Sequence, residues 1–326
     1  MEVDRIMSQQ LLAQQQPRAE RILELFVQDC IDRQLTPETI RHYKTIAKKY
    51  VASLSEKGLS PIEANKHTIH DFIRDRRSKA IDQKTVENEL SAIAGFYDFL
   101  VFEDFVVNNP VPGVRKRYLR RYKEAQDADA ESPRKLISIE EMSLLINSVL
   151  DTRDKAILTL LAKTGVRRGE LIAMDITDIN WVNQSIALKR KQFKKRSNRT
   201  VYFDDETARL LKRWLGQRIG LSPTTPSLFI GEHGERLKRN GVYSMVLKYA
   251  ARVRLHDFRS DRPEDHFSPH CFRHWFTTHL RRAGMDREFI KALRGDRRRE
   301  AIDIYDHIDQ VELRRAYLAF IPQLGV

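Results

Sequence analysis

Apolar residues recur every three to four positions through most of the chain, and alternation is confined to one short stretch. In "LTPETIRHYKTIAKKYVASL", Ile40, Tyr43, Ile46, Ala47 and Tyr50 follow helical spacing. Thr36 precedes them as an N-cap and Pro37 takes the first helical position, where its missing N–H costs nothing. "DQKTVENELSAIAGFYDFLV" repeats the plan, with Asp82 as the cap and Val86, Leu90, Ile93, Phe96, Tyr97 and Leu100 on the inner face. "NNPVPG" (108–113) is expected to stop that helix. Residues 18–114 therefore predict a small all-helical domain. The glutamine-rich start, 1–17, predicts a flexible N-terminus.

The pattern resumes at "SIEE", where Ser138 and Glu141 form a capping box. Helices are expected to about 150 and over 152–163. "SIALKRKQF" and "RTVYF" then read as two strands joined by a polar turn. Helical spacing returns in "DDETARLLKRWLGQRI", "NGVYSMVLKYAARV" and "SPHCFRHWFTTHLRRAG", the last capped by Ser268 and opened by Pro269. The fold class is mainly α with a small antiparallel β-sheet, in two domains, the second spanning 136–326. Between them, "RKRYLRRYK" carries six basic residues in nine and the acidic, small "EAQDADAESP" follows. Residues 115–135 read as a linker whose basic half touches a partner and whose acidic half is solvated.

Charge narrows the partner. Lys plus Arg number 58 against 45 Asp plus Glu, a net +13 that suits a polyanion. By itself that surplus also fits ribosomal, heparin-binding and membrane-surface proteins. Two cysteines, Cys30 and Cys271, are too few for a disulfide framework or zinc cluster and suit a reducing cytosol. No apolar run approaches a signal peptide or a membrane span, so the expectation is a cytoplasmic protein with no membrane partner.

Four stretches hold candidate chemistry. "KTGVRRGEL" breaks one helix at Thr164-Gly165 and starts another from Val166, with Arg167 as a planar fork for an anion and Glu170 to brace it. Alone, a helix-turn-helix with an ordinary surface salt bridge explains it better. "KRKQFKKRSNR" (189–199) puts seven basic residues in eleven on a turn that is either solvated or laid against phosphates. "HCFRH" places His270, Arg273 and His274 on one helical face, fit for a metal, a phosphate or plain solvent. Metal is disfavoured, because Arg273 repels a cation and no carboxylate follows the first histidine as in the metalloprotease pattern. In "EAIDIYDHID", Tyr305 sits among acids as a core residue with its hydroxyl at the rim, or as a phenolic nucleophile.

The order and spacing of these stretches resemble the tyrosine recombinases, the phage-integrase and Xer-like family: arginine after a Thr-Gly break, lysine on a β-turn, His-x-x-Arg, then tyrosine some thirty residues on. "TPETIRHY", "TVENELSAIAGFYDFL" and "NNP" resemble that family's N-terminal core-binding domain. "SIEEMSLLI" and "RDKAILTLLAKTGVRRGELIAMDITDI" resemble the start of its catalytic domain. The resemblance covers about residues 20–310, and the ending "RGD…IYDHID" is similar to archaeal-type integrases. It implies that 18–114 bind DNA, that 136–326 are catalytic, and that the two domains clamp a duplex.

It also implies the chemistry. Tyr305 would attack a DNA phosphodiester to give a 3′-phosphotyrosyl link, which a 5′-hydroxyl later reverses on a new partner. Bond energy stays in the ester, so neither ATP nor a metal or other cofactor is implied. Arg167 and Arg273 would hold the non-bridging oxygens, Lys194 would protonate the leaving oxygen, and His270 would assist proton transfer or hold the phosphate. Lys191 and Lys195 lie close enough to Lys194 to share its assignment. His274 packs or braces. One departure stands out: where the family has Leu-Gly-His, nine residues before the tyrosine, this chain has "RGD", so Asp296 replaces a histidine. That carboxylate is expected to position Arg273 or His270, or to accept the tyrosine proton.

"DQVELRRAYLAFIPQLGV" has helical apolar spacing with nothing evident in its own domain to cover. The resemblance implies that it docks on a neighbouring protomer, within a homotetramer on two specific recombination sites in double-stranded DNA, associated with the nucleoid. Packing within its own chain is the alternative. Two other functions share these residues, a type IB topoisomerase-like nicking-resealing enzyme and a non-catalytic DNA-binding accessory protein.

Overall fold

The structure is a computed structural model that describes residues 19–119, 136–188, 199–221, 223–260, 262–296 and 308–326. The chain divides into two compact units between Glu131 and Ser132.

In the first unit, α1 (19–32), α2 (Pro37–Ser55), α3 (Lys66–Ser78), α4 (Gln83–Phe102) and α5 (Val111–Tyr118) surround one core. The expected caps are in place: Thr36 accepts from the Thr39 N–H at 3.2 Å, and Asp82 accepts from Lys84 and Thr85. All six residues expected on the inner face of α4 are fully buried. A buried charge is matched inside this unit: Arg76 Nε donates to Glu89 at 2.8 Å, and Lys49 donates to the other carboxylate oxygen at 2.9 Å.

Two expectations change here. Helix α4 ends at Phe102, before "NNPVPG", and that stretch starts a helix instead of stopping one. Asn109 makes the difference: its side chain accepts from the Val111 N–H and donates to the Ala94 carbonyl, pinning the start of α5 to α4. Helix α5 then runs into the expected linker. Val111, Val114 and Leu119 lie in the core, and Tyr118 stacks on His70 at 4.1 Å. Residues 115–119 thus belong to the first unit; the rest of "RKRYLRRYK", 120–123, lies outside the described residues.

The second unit contains α6 (Ile139–Asn147), α7 (Thr152–Thr164), α8 (Arg168–Ala173), α9 (Asp205–Ile219), α10 (Arg239–Arg252), α11 (Pro269–Arg282), α12 (Arg287–Arg294) and α13 (Gln310–Phe320). A three-stranded antiparallel sheet, β1 (Ile179–Asn180), β2 (Ser185–Leu188) and β3 (Arg199–Tyr202), pairs in that order. The expected strand pair is β2–β3, in the register Ser185↔Tyr202 to Leu188↔Arg199. The Ser138–Glu141 capping box forms with both bonds, at 2.9 and 3.1 Å. Helix α11 is tied to this entry: Trp275 Nε1 donates to the Ser138 carbonyl at 3.2 Å, and the buried His279 ring bonds the Ile137 carbonyl at 2.9 Å.

The tail packs in its own chain, contrary to the expectation that it has nothing there to cover. Leu313, Tyr317, Ile321 and Leu324 are buried in the second unit's core. Lys163, 0 % exposed, donates to Asp204, Glu206 and the Pro322 carbonyl. Glu206 in turn accepts the backbone N–H groups of Leu324, Gly325 and Val326. A fully buried ammonium needs such partners, because desolvation of an unpaired charge costs several kcal/mol, roughly 3–5 when one partner is removed.

Candidate active site

The site begins where α7 ends. Gly165 adopts φ +57°, a left-handed cap that also brings its Cα against Phe276; a Cβ there would lie 2.5 Å from the ring. The turn frees the Gly165 carbonyl, and Arg273 Nη1 donates to it at 2.8 Å. Arg273, 3 % exposed, is thereby held on α11 with its guanidinium turned inward. His270 and His274 are exposed, so the expected shared face of "HCFRH" is split by burial. The cap of α11 is as expected: Ser268 Oγ accepts the His270 N–H, and Pro269 is its first residue.

Arg167 sits one residue before α8 in extended conformation rather than inside the helix. Its backbone N–H donates to Glu170 at 2.8 Å and its Nη1 donates to the same carboxylate at 3.2 Å, the expected brace. Glu170 has a second partner, Arg199 at the start of β3, whose guanidinium grips both oxygens at 3.0 and 2.9 Å, closer than that of Arg167. Burial alone would raise the Glu170 carboxyl, but bonds and charge from Arg199, with Arg167 behind them, outweigh it and pull it down to about 2.

Arg199 also donates through Nε to the Leu293 carbonyl at 2.9 Å, so β3 carries the end of α12. At that end Gly295 takes φ +61° against the Arg199 guanidinium; a Cβ would meet Nη1 at 2.7 Å. The turn presents the Arg294 carbonyl, which accepts from Arg273 at 2.8 Å and Arg167 at 3.2 Å, and then Asp296. Asp296 Oδ1 accepts from Arg273 Nη2 at 3.0 Å and Arg167 Nη2 at 3.4 Å, while Oδ2 pairs with Arg294 at 2.9 Å. Burial and then the neighbouring cations Arg167 and Arg294 lower the Arg273 pKa to about 10, with Asp296 opposing them. The guanidinium stays charged at neutral pH.

A cavity of about 210 Å³ opens beside the pair, lined by Arg167, Arg168, Arg273, His270, Ser268 and Tyr243. Three guanidiniums, an imidazole and the start of a helix facing one cavity are a receptor for a tetrahedral anion. The structure thus gathers Arg167, His270, Arg273 and Asp296. Lys194 and Tyr305 lie outside the described residues. Their neighbours are placed: Leu188 and Arg199 flank the hairpin, and the Tyr202 hydroxyl donates to Gln310, at 3.0 Å to its carbonyl. Sequence reading missed Arg199 and the carbonyls of Gly165 and Arg294. Only Arg199 left a signal, as the last basic residue of the hairpin at the strand edge.

Comparison with known proteins defines the class. Residues 135–312 match the phage integrase family, and residues 23–104 match its N-terminal SAM-like domain. The chain belongs to the phage integrase family. It is a tyrosine recombinase, an enzyme of site-specific recombination that acts on DNA. Tyrosine recombinase XerD of Chlorobaculum tepidum is 27% identical over 304 residues, covering 90% of this chain and 93% of that protein. Tyrosine recombinase XerC of Actinobacillus pleuropneumoniae serotype 7 is 26% identical over 298 residues, with 90% of each covered. In fold, the chain is similar to the Tn1549 transposon integrase in complex with a circular intermediate DNA, at TM-score 0.67 and 15% identity over 91% of this chain and 98% of that one. It is likewise similar to the XerH site-specific recombinase bound to its difH substrate, at TM-score 0.64 and 17% identity over 91% and 81%. No helix among the described residues is long and apolar enough to cross a membrane.

Proposed function

We propose that Tyr305 is the nucleophile of this recombinase and that Arg167 and Arg273 hold the scissile phosphate while it attacks. The observation that carries the reading is the convergence of those two guanidiniums, one from the turn before α8 and one from α11, beside His270 on one cavity. Charge accumulates on the non-bridging oxygens during transfer, and donors already fixed by backbone carbonyls meet it without reorganising. His270, at the mouth, holds the phosphate or relays a proton. Lys194 protonates the leaving 5′ oxygen from the hairpin. The cytoplasm, with the nucleoid, is where such a DNA-acting enzyme works.

Exchange between two duplexes requires four strand cleavages, so the working unit is a homotetramer on two specific recombination sites. What supports this reading is that Lys163 and Glu206 bond backbone groups of residues 322–326, which any copy of the tail offers alike, beside the core that Leu313, Tyr317, Ile321 and Leu324 fill.

The test is covalent trapping. Wild type and Tyr305→Phe are incubated in EDTA with nicked duplexes carrying candidate sites and run on denaturing gels. A protein–DNA adduct that disappears in the phenylalanine variant is expected. Specific binding with no adduct would favour an accessory DNA-binding role, and relaxation of a lone supercoiled plasmid without exchange a topoisomerase-like one.

A further inference from the structure

We propose that the Asp296 carboxylate occupies the seat of the scissile phosphate, and that DNA must displace it before cleavage. The inference rests on the reading above, that Arg167 and Arg273 are the phosphate-holding pair. Arg273 is almost wholly covered, and three acceptors take three of its five N–H donors: the Gly165 carbonyl, the Arg294 carbonyl and Asp296 Oδ1. Both carbonyls belong to helix ends and can leave only if α7 or α12 unwinds. Asp296 can leave by rotating its side chain, which is 30% exposed. The exchangeable partner of the buried guanidinium is therefore this carboxylate.

Its geometry is that of a bound anion. One oxygen bridges two guanidiniums, at 3.0 and 3.4 Å, as a non-bridging phosphoryl oxygen does. A carboxylate and a phosphate cannot both press on the same pair at such range without strong mutual repulsion. In the free protein Asp296 lies against three cations, Arg167, Arg273 and Arg294, that otherwise repel one another, and it competes with a phosphate for the first two. A phosphate gains the seat when the rest of a DNA site holds it there, which makes Asp296 a filter for correctly docked DNA. A histidine, which can donate to the phosphate, would not filter in this way.

A passive brace and a competing occupant predict opposite signs. Removing a brace disorders the arginines and weakens anion binding; removing an occupant vacates the seat and strengthens it. The measurement is titration calorimetry of inorganic phosphate into full-length wild type, Asp296→Asn, Asp296→Ser and the double variant Asp296→Asn with Arg273→Ala, at fixed ionic strength. Both neutral variants are expected to bind about tenfold tighter than wild type, equivalent to about 1.4 kcal/mol, and the gain should vanish in the double variant. Equal or weaker binding by the neutral variants overturns the proposal, as does a gain that survives loss of Arg273. The Tyr305 adduct assay reports separately. An adduct without the gain sinks the occupant alone, whereas a gain without an adduct sinks the assignment of Tyr305 as nucleophile and leaves a two-arginine anion seat.

Discussion

Two clusters in the second unit both bury cations against carboxylates, and they are balanced in opposite directions. At the candidate active site, Arg167, Arg199, Arg273 and Arg294 face Glu170 and Asp296, four guanidiniums against two carboxylates among the described residues. Where the tail docks, the single ammonium of Lys163 faces Asp204 and Glu206, with Thr207 donating to Asp204 and the backbone N–H groups of residues 324–326 donating to Glu206. The first cluster has positive charge in surplus and room for an anion. The second is closed by the chain's own backbone. A surplus kept partly buried is a site awaiting a ligand; a closed balance is a joint.

Breaking the joint should have the largest effect on stability. Lys163→Ala leaves two carboxylates buried without their cation and should cost about 3–5 kcal/mol in urea unfolding. A loss under about 1 kcal/mol would mean that water takes over the role of the ammonium. Acid should weaken both clusters, the active site most measurably. The Glu170 pKa lies at about 2, below its ordinary value of 4.5, so its stabilisation is complete above that ordinary value and is lost as pH falls toward 2. Between pH 5 and 2 wild type should lose on the order of 2–3 kcal/mol more than Glu170→Gln. Parallel acid profiles for the two proteins would show that Arg199 does not hold this carboxylate in solution. Glu206 is also lowered: burial raises it, but Lys163 and the tail N–H groups more than reverse that, so acid should loosen the tail in both proteins. The smallest effect belongs to Tyr202, whose hydroxyl ties β3 to Gln310 where the tail helix starts. Tyr202→Phe should cost about 0.5–1.5 kcal/mol. Comparing its tail-amide hydrogen exchange with that of wild type would show whether the joint depends on the strand.

Much of the architecture was legible along the chain because it is local. Thr36, Asp82, Ser138 and Ser268 cap the helices assigned to them, and the inner face of α4 is buried as its spacing predicts. The errors came where a local signal was answered from a distance. "NNPVPG" carries two prolines and reads as a stop, but the Asn109 bond to Ala94 turns it into a start. In "HCFRH", His270 and Arg273 line one cavity as their spacing suggests, but the Gly165 carbonyl buries Arg273 while His270 and His274 stay exposed, a difference the spacing does not show.

The sequence by itself determined the helices capped by Thr36, Asp82, Ser138 and Ser268, the β2–β3 pairing and the motif order that marks a tyrosine recombinase. Each depends on residues a few positions apart or on residue identities in series. The tertiary structure alone decided that Arg199 holds Glu170, that two helix-end carbonyls orient Arg273, that Asp296 bridges both arginines, and that the tail closes on Lys163 and Glu206. Those contacts join distant segments through backbone carbonyls and charge, and carbonyls are the same in every residue. Only burial, which makes an unpaired cation costly, selects which of them must meet.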